Sequence, residues 1–153
     1  MKNQLSGMSN WLCILNRENF GAIREKCIWG VSKRHRKKLM NTKLGDLCAF
    51  YLVGEGTGKN RIKPAIGGVF KIISVPYEDQ LDIFPSKRSS EEIYPYRVKI
   101  SAIKLFEPEL IFEPLIPHLS FIKNKQKYSG HVIGKAMLEI PEEDMGVIMD
   151  YKI

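Results

Sequence analysis

Cysteine is scarce: Cys13, Cys27 and Cys48 lie far apart in a chain of 153 residues. No CxxC pair or clustered Cys/His spacing accompanies them, which argues against a zinc site, and the odd count leaves one thiol over in any disulfide scheme. They read as small buried hydrophobes in a reducing compartment. Long apolar runs are missing too. None approaches a membrane span and no signal-peptide core opens the chain, so the expected address is the cytoplasm, without a membrane partner. Catalytic signatures are equally absent. The loop Gly54-Glu-Gly-Thr-Gly-Lys-Asn60 looks like a phosphate-binding loop, yet Val53 stands where glycine is required and Asn60 replaces the Ser/Thr. Pro64 and a β-branched run follow instead of a helix. His35, His118 and His131 have no G-x-S-x-G elbow or acid partner and read as surface residues. Glu142-Glu143 suits the first turn of a helix better than acid–base work. The chain is expected to be no enzyme, and no cofactor or metal is implied.

What is present describes one domain. The composition, 44% hydrophobic and 27% charged, is that of a globular protein large enough to bury a core. Residues 1–8 are patternless and read as a disordered tail or a start extension, leaving 9–153 as the domain. Trp11 to Leu15 is an apolar run of buried-strand length. Asn16 is a plausible N-cap for a helix whose stripe is Phe20, Ile23 and Cys27 and which ends near Gly30. Strands are expected at Leu47–Val53, at Ala65–Val75 with a bulge at Gly67-Gly68, and at Tyr94–Ala102, with a short pairing at Leu110–Phe112. Residues 76–93 form a loop-rich excursion. Pro114–Ile122 suggests a short helix, and Val132, Ile133, Ala136, Met137 and Ile140 suggest a helical stripe. Pro141-Glu-Glu-Asp144 has a helix-start composition. The order implies an α+β fold: a mixed, strongly curved sheet with helices closing its ends.

The charge is lopsided. Up to Pro76 there are 14 basic and 4 acidic residues, and from Tyr77 onward 10 basic and 13 acidic. A basic half favours an anionic partner, nucleic acid first. The run Lys33-Arg-His-Arg-Lys-Lys38 reads either as a solvated face or as a phosphate-neutralising patch. Lys123-Asn-Lys125, close to Tyr128, has the same basic-plus-aromatic character. Tyr94 and Tyr96 border a strand face carrying Arg97 and Lys99, and aromatic rings beside cations are what base stacking uses. Trp29, directly ahead of the basic run, is either core or one wall of a pocket that the run feeds.

Several segments together carry a resemblance. Trp11-Leu-Cys-Ile-Leu-Asn16, Glu18-Asn-Phe20, Trp29-Gly-Val31, Lys43-Leu-Gly-Asp46, Pro76-Tyr77, Tyr94-Pro-Tyr-Arg-Val98 and Phe121-Ile-Lys-Asn-Lys125 resemble the EVE domain (UPF0310) family, in order from about Ser9 to Ile148. The resemblance implies a PUA-like fold, a small curved β-barrel of mixed strands flanked by short helices. It also implies structural kinship with YTH domains, which read N6-methyladenine in RNA. A pocket for a modified, flipped-out base in RNA or DNA follows. Trp29 is similar to the tryptophan of the YTH cage wall and Asn19 to a polar residue aimed at the base edge, whereas Gly30 stands where those domains commonly carry a small polar residue. The expected pocket comprises Trp29 stacking, Asn16 and Asn19 on the base edge, backbone amides of Gly30, Val31 and Ser32, and a wall from Tyr94, Tyr96, Phe121 and Tyr128. Lys33, Arg34, Arg36, Lys37, Lys38, Arg97, Lys123 and Lys125 are expected on phosphates. The other readings are a pocket for a small anionic ligand or for chemistry on RNA, and a subunit docking on a nucleic-acid-bound partner.

Overall fold

The computed structural model describes residues 8–87 and 89–151, so the expected tail lies outside the described residues except for Met8. Strand β1 (Asn10–Leu15) leads into helix α1 (Arg17–Lys26), strand β2 (Ile28–Val31), a 3-10 turn and the short helix α2 (Arg36–Met40). Strands β3 (Leu47–Leu52), β4 (Ala65–Ile72), β5 (Tyr77–Glu78), β6 (Tyr96–Ile111) and β7 (Met137–Ile140) follow, and helix α3 (Glu142–Asp150) closes the described chain. Six strands run in the order β2-β6-β4-β3-β1-β7, with β5 paired to β6 off that path. Among the described strands only β1 and β3 pair in parallel; the other pairs are antiparallel. The sheet is mixed, as expected. Among the described residues no helix is long and apolar enough to cross a membrane.

The apolar run of β1 is buried on both faces, which is why it shows no alternation. Trp11, Cys13 and Leu15 enter one core cluster with Phe20, Trp29, Phe50 and Phe70, while Leu12 enters a second with Tyr51, Ile66, Phe112 and Ile148. Helix α1 begins where Asn16, extended at φ −92° and ψ 170°, accepts the Asn19 N–H at 2.8 Å. It packs Phe20 over Gly67, where a Cβ would lie 2.6 Å from the ring. The strand registers shift beside Gly67, so the bulge read from Gly67-Gly68 is present and gives the helix its seat.

Two short strands depart from the sequence reading. The first helix stops at Cys27, left-handed at φ 58°, and residues 28–31 pair with β6 instead of extending it. The helical stripe expected through Ile140 is interrupted by Gly134 at φ 77° and Ala136 at φ 55°, after which β7 zips onto β1. In both places strand pairing overrides local periodicity. The short pairing expected at Leu110–Phe112 is instead the far end of the 16-residue β6. Because β2 and β7 end the strand path, the curl leaves a seam between them. Helix α2 packs against both of these strands, and its Lys38 Nζ donates to the Lys135 carbonyl at 3.1 Å.

Candidate nucleic-acid interface

A hollow of about 270 Å³ opens at this seam. The end of β1 supplies Ile14, Leu15 and Asn16; α1 supplies Asn19 and Ile23. Trp29, Gly30, Val31 and Ser32 come from β2 and the residue after it, and His35 from the turn beyond. Gly134 and Ala136 contribute from the approach to β7, and Phe84 and Tyr94 from the 79–94 excursion. Among these described lining residues there is no carboxylate, lysine or arginine.

Trp29 forms part of the hollow's floor. Its residue is only 4% exposed and its ring meets Phe50 edge-on at 5.4 Å. Its Nε1–H is buried without a hydrogen-bond partner, a condition that costs free energy until an acceptor arrives. Gly30 adds a second pair of polar groups. Ile100 N–H donates to the Cys27 carbonyl at 3.0 Å, which sets the ladder phase. By alternation Trp29/Val98 and Val31/Tyr96 are hydrogen-bonded pairs, and Gly30/Arg97 is the pair between them that is not. Because β2 is an edge strand, the Gly30 N–H and C=O point off the sheet. Glycine is required here: a Cβ would lie 2.7 Å from the Tyr94 carbonyl oxygen and 3.2 Å from Phe84 Cε2.

Asn16 and Asn19 line the hollow, but their amides already hold the excursion. Asn16 Nδ2 donates to Ser86 Oγ at 2.8 Å, Asn19 Nδ2 to the Ser86 carbonyl at 2.9 Å, and Ser86 N–H to Asn19 Oδ1 at 2.9 Å. Both side chains fasten Ser86, and with it Phe84, beside the hollow. A base edge would meet these amides only at their remaining valences.

Arg97 corrects an expectation. Strand alternation placed it on an exposed cationic face with Lys99, yet its side chain is fully buried because the excursion covers it. Its Nε donates to the Tyr94 carbonyl at 2.9 Å, and its Nη2 to the carbonyls of Ile93, at 2.9 Å, and of Leu81. Its Nη1 lies 3.6 Å from Asp79 Oδ2, and the guanidinium sits 5.5 Å from the Phe84 ring centroid. Burial lowers its pKa while Asp79 opposes that shift. Arg97 is a clamp on the excursion and cannot reach a phosphate.

The other expected residues divide. Lys33, Arg34, Arg36 and Lys37 are exposed along the turn and helix that follow Ser32, and Arg36 lies 5.5 Å over the Tyr96 ring. Lys38 is half-buried, bonded to Lys135, and its pKa is lowered first by that burial and then by the nearby cations Lys135 and Arg34. Tyr96 packs at the edge of the first core and does not line the hollow. Phe121 and Tyr128 do not line it either, because they pack against the second cluster, and Lys123 and Lys125 belong to that same segment. The Lys125 amine caps the Leu119 carbonyl. Sequence reasoning missed Phe84, Ser86 and the half-buried His35. The apolar Ile83-Phe84 pair inside a polar excursion was the available signal for Phe84.

The EVE domain profile matches residues 9–151. A UPF0310 protein of Pyrococcus abyssi is 50% identical over 141 residues, covering 92% of this chain and 97% of that protein. Another from Pyrococcus horikoshii is 45% identical over 142 residues, with the same coverage, 92% and 97%. Among solved structures, the human THYN1 protein in complex with 5-methylcytosine-containing DNA aligns at TM-score 0.61 and 16% identity, over 95% of this chain and 99% of that one. The Pho92 YTH domain in complex with m6A aligns at TM-score 0.63 and 15% identity, over 94% and 82%. The curled half-barrel therefore has the PUA-like fold, and a profile spanning nearly all of the described residues, together with relatives sharing about half of theirs, establishes that this chain belongs to the EVE domain family.

Proposed function

We propose that the protein is a non-catalytic reader that takes one modified base of a nucleic acid into the seam hollow. The observation that carries this reading is that Trp29, whose buried indole N–H has no partner, lines a hollow without carboxylate, lysine or arginine among its described residues. An indole N–H is only a donor, so the matching group is an acceptor, which every base offers at a ring nitrogen or carbonyl. Gly30, with one donor and one acceptor facing off the sheet edge, complements a base edge that has both. The hollow is slightly smaller than ligand pockets of about 300 to 1,000 Å³, and suits one base rather than a nucleotide. A methyl group on that base would meet apolar walls such as Phe84, Val31 and Ile14.

Charge placement supports the same reading. The lining has no carboxylate, lysine or arginine among the described residues, whereas Lys33, Arg34, Arg36 and Lys37 stand outside on the following turn and helix. A small anion would find no cation within the hollow. A neutral base would enter it while its phosphates stayed among the cations. Withdrawing a base from a duplex costs a few kcal/mol, so single strands or weakened pairs are the favoured targets. The solved relatives that hold 5-methylcytosine-containing DNA and m6A lend the modified-base reading its chemistry.

The test is an anisotropy titration of RNA and DNA oligonucleotides containing N6-methyladenine, 5-methylcytosine or the unmodified bases. Preference for a modified strand is expected, and Trp29→Phe should weaken binding of that strand by about tenfold, the worth of one well-made hydrogen bond. Equal affinity for every strand, unchanged in folded Trp29→Phe, would remove the reading.

A further inference from the structure

A second hollow of about 260 Å³ shares the walls Ile14 and Val53 with the first. Its remaining lining comes from the glycine-rich 54–61 loop, which the phosphate-loop motif did not explain, from residues 128–133, and from Tyr51 and Pro64. Four features there are unusual. Ile133 is 71% exposed although it is a large apolar residue bordering a cavity. Arg61 is exposed, and no described residue hydrogen-bonds or ion-pairs its guanidinium, which lies over Gly54 at 3.5 Å from where a Cβ would stand. Tyr51 is buried, and the Tyr128 phenol borders the same hollow beside it. Burial first, and then Tyr128, raise the Tyr51 pKa well above its ordinary value, so this phenol remains a neutral donor or acceptor at any physiological pH. Tyr128 completes the wall with a half-buried ring.

Resting on the reading that a base fills the first hollow, we propose that this second hollow receives the adjoining nucleotide, with Arg61 on the phosphate between the two. Ile14 and Val53 line both hollows, so the two are immediate neighbours, as a continuous strand needs to place adjoining nucleotides in both. Ile133 and Tyr128 present the apolar and aromatic surface on which a base lies, and the two tyrosines add polar groups to the lining. Arg61 provides the charge-assisted contact that a phosphodiester accepts. The loop is held in place from behind: Arg17 Nη1 donates to the Val53 carbonyl at 2.8 Å, and its Nη2 donates to the Lys63 carbonyl at 2.9 Å and to Glu109 Oε1 at 2.9 Å. The glycine-rich segment thus acts on a phosphate without any nucleotide-triphosphate chemistry.

Calorimetry separates this inference from the reading beneath it. N6-methyladenosine and 5-methyl-2′-deoxycytidine are titrated as free nucleosides and at the centre of trinucleotides, into the wild type, Arg61→Gln and Ile133→Ala. Both positions are exposed, so both variants should fold. For whichever modification binds, the trinucleotide should bind more tightly than the nucleoside. Each substitution should cost the trinucleotide about five- to tenfold and leave the nucleoside unchanged. Trinucleotide affinities indifferent to both substitutions would overturn the second subsite while leaving the first intact. Equal losses for nucleoside and trinucleotide would also overturn it, since Arg61 would then act on the first hollow. A wild type that binds modified and plain forms alike would sink the base-reading function, and this inference with it.

Discussion

Trp11 and Trp29, the chain's two tryptophans, have opposite polar environments. The Trp11 indole donates to Asp46 Oδ2 at 3.0 Å, and the same buried carboxylate accepts the Ser9 and Lys43 amides at 2.8 and 2.9 Å. Trp29 has no such acceptor. Trp11→Phe should therefore lower the unfolding free energy by about 1.5–3 kcal/mol through the lost bond to a carboxylate, measured by urea denaturation, and leave ligand affinity untouched. Trp29→Phe should show the reverse emphasis. The thiols offer a second residue-scale test. Cys13 is buried and its pKa is raised first by desolvation and then by its neighbour Cys48, whereas Cys27 is exposed. Iodoacetamide on the native protein should label Cys27 alone by peptide mass mapping. The importance of Trp29 was legible because a tryptophan beside a charge run is unusual. The burial of Arg97 was not legible, because alternation tells which face a side chain takes and not what covers that face.

At the level of elements, the 79–94 excursion is the part of the site most dependent on tertiary contacts. It is fastened at one place by Asn16 and Asn19 on Ser86 and at another by Arg97 on the carbonyls of Leu81, Ile93 and Tyr94. Arg97→Met should release these carbonyls, cost about 3 kcal/mol or more at roughly 1–3 kcal/mol for each group left buried and unsatisfied, and speed hydrogen exchange across residues 81–87. Asn19→Ala should speed exchange in the same segment with a smaller stability loss. Unchanged exchange in both variants would show that other contacts hold the excursion. Gly67→Ala tests the seat of α1, where the new methyl would meet Phe20 at 2.6 Å; a loss of about 1–3 kcal/mol is expected, relieved in part by Phe20→Leu. The elements with self-contained signals, β1, α1, β3 and β4, were legible from apolar runs, the Asn16 cap and the glycine pair. The four-residue strands β2 and β7 were not, because their identity is set by partners distant in sequence, β6 and β1.

For the whole molecule, the basic bias of the first half gathers exposed charge beside the seam at Lys33, Arg34, Arg36 and Lys37. If all of these neutralise phosphates on a single strand, log affinity should fall with log salt at a slope of about −3, at roughly −0.7 per contact. Lys37→Ala should flatten that slope by about 0.7 and weaken modified and plain strands alike, since phosphate contacts carry no base information. A substitution that changed the modified-to-plain ratio would instead place Lys37 in base recognition. Lys125 of the second basic cluster already caps the Leu119 carbonyl, so Lys125→Ala should change the slope by less than Lys37→Ala does.

The most direct measurement follows the two indole N–H resonances in ¹H–¹⁵N spectra while a trinucleotide carrying the preferred modified base is added. Formation of a hydrogen bond should move the Trp29 indole proton downfield and slow its exchange with water, with the Trp11 signal as an unmoving reference. Saturating ligand that leaves the Trp29 signal in place, or shifts both indoles equally, would contradict a base seated on that donor.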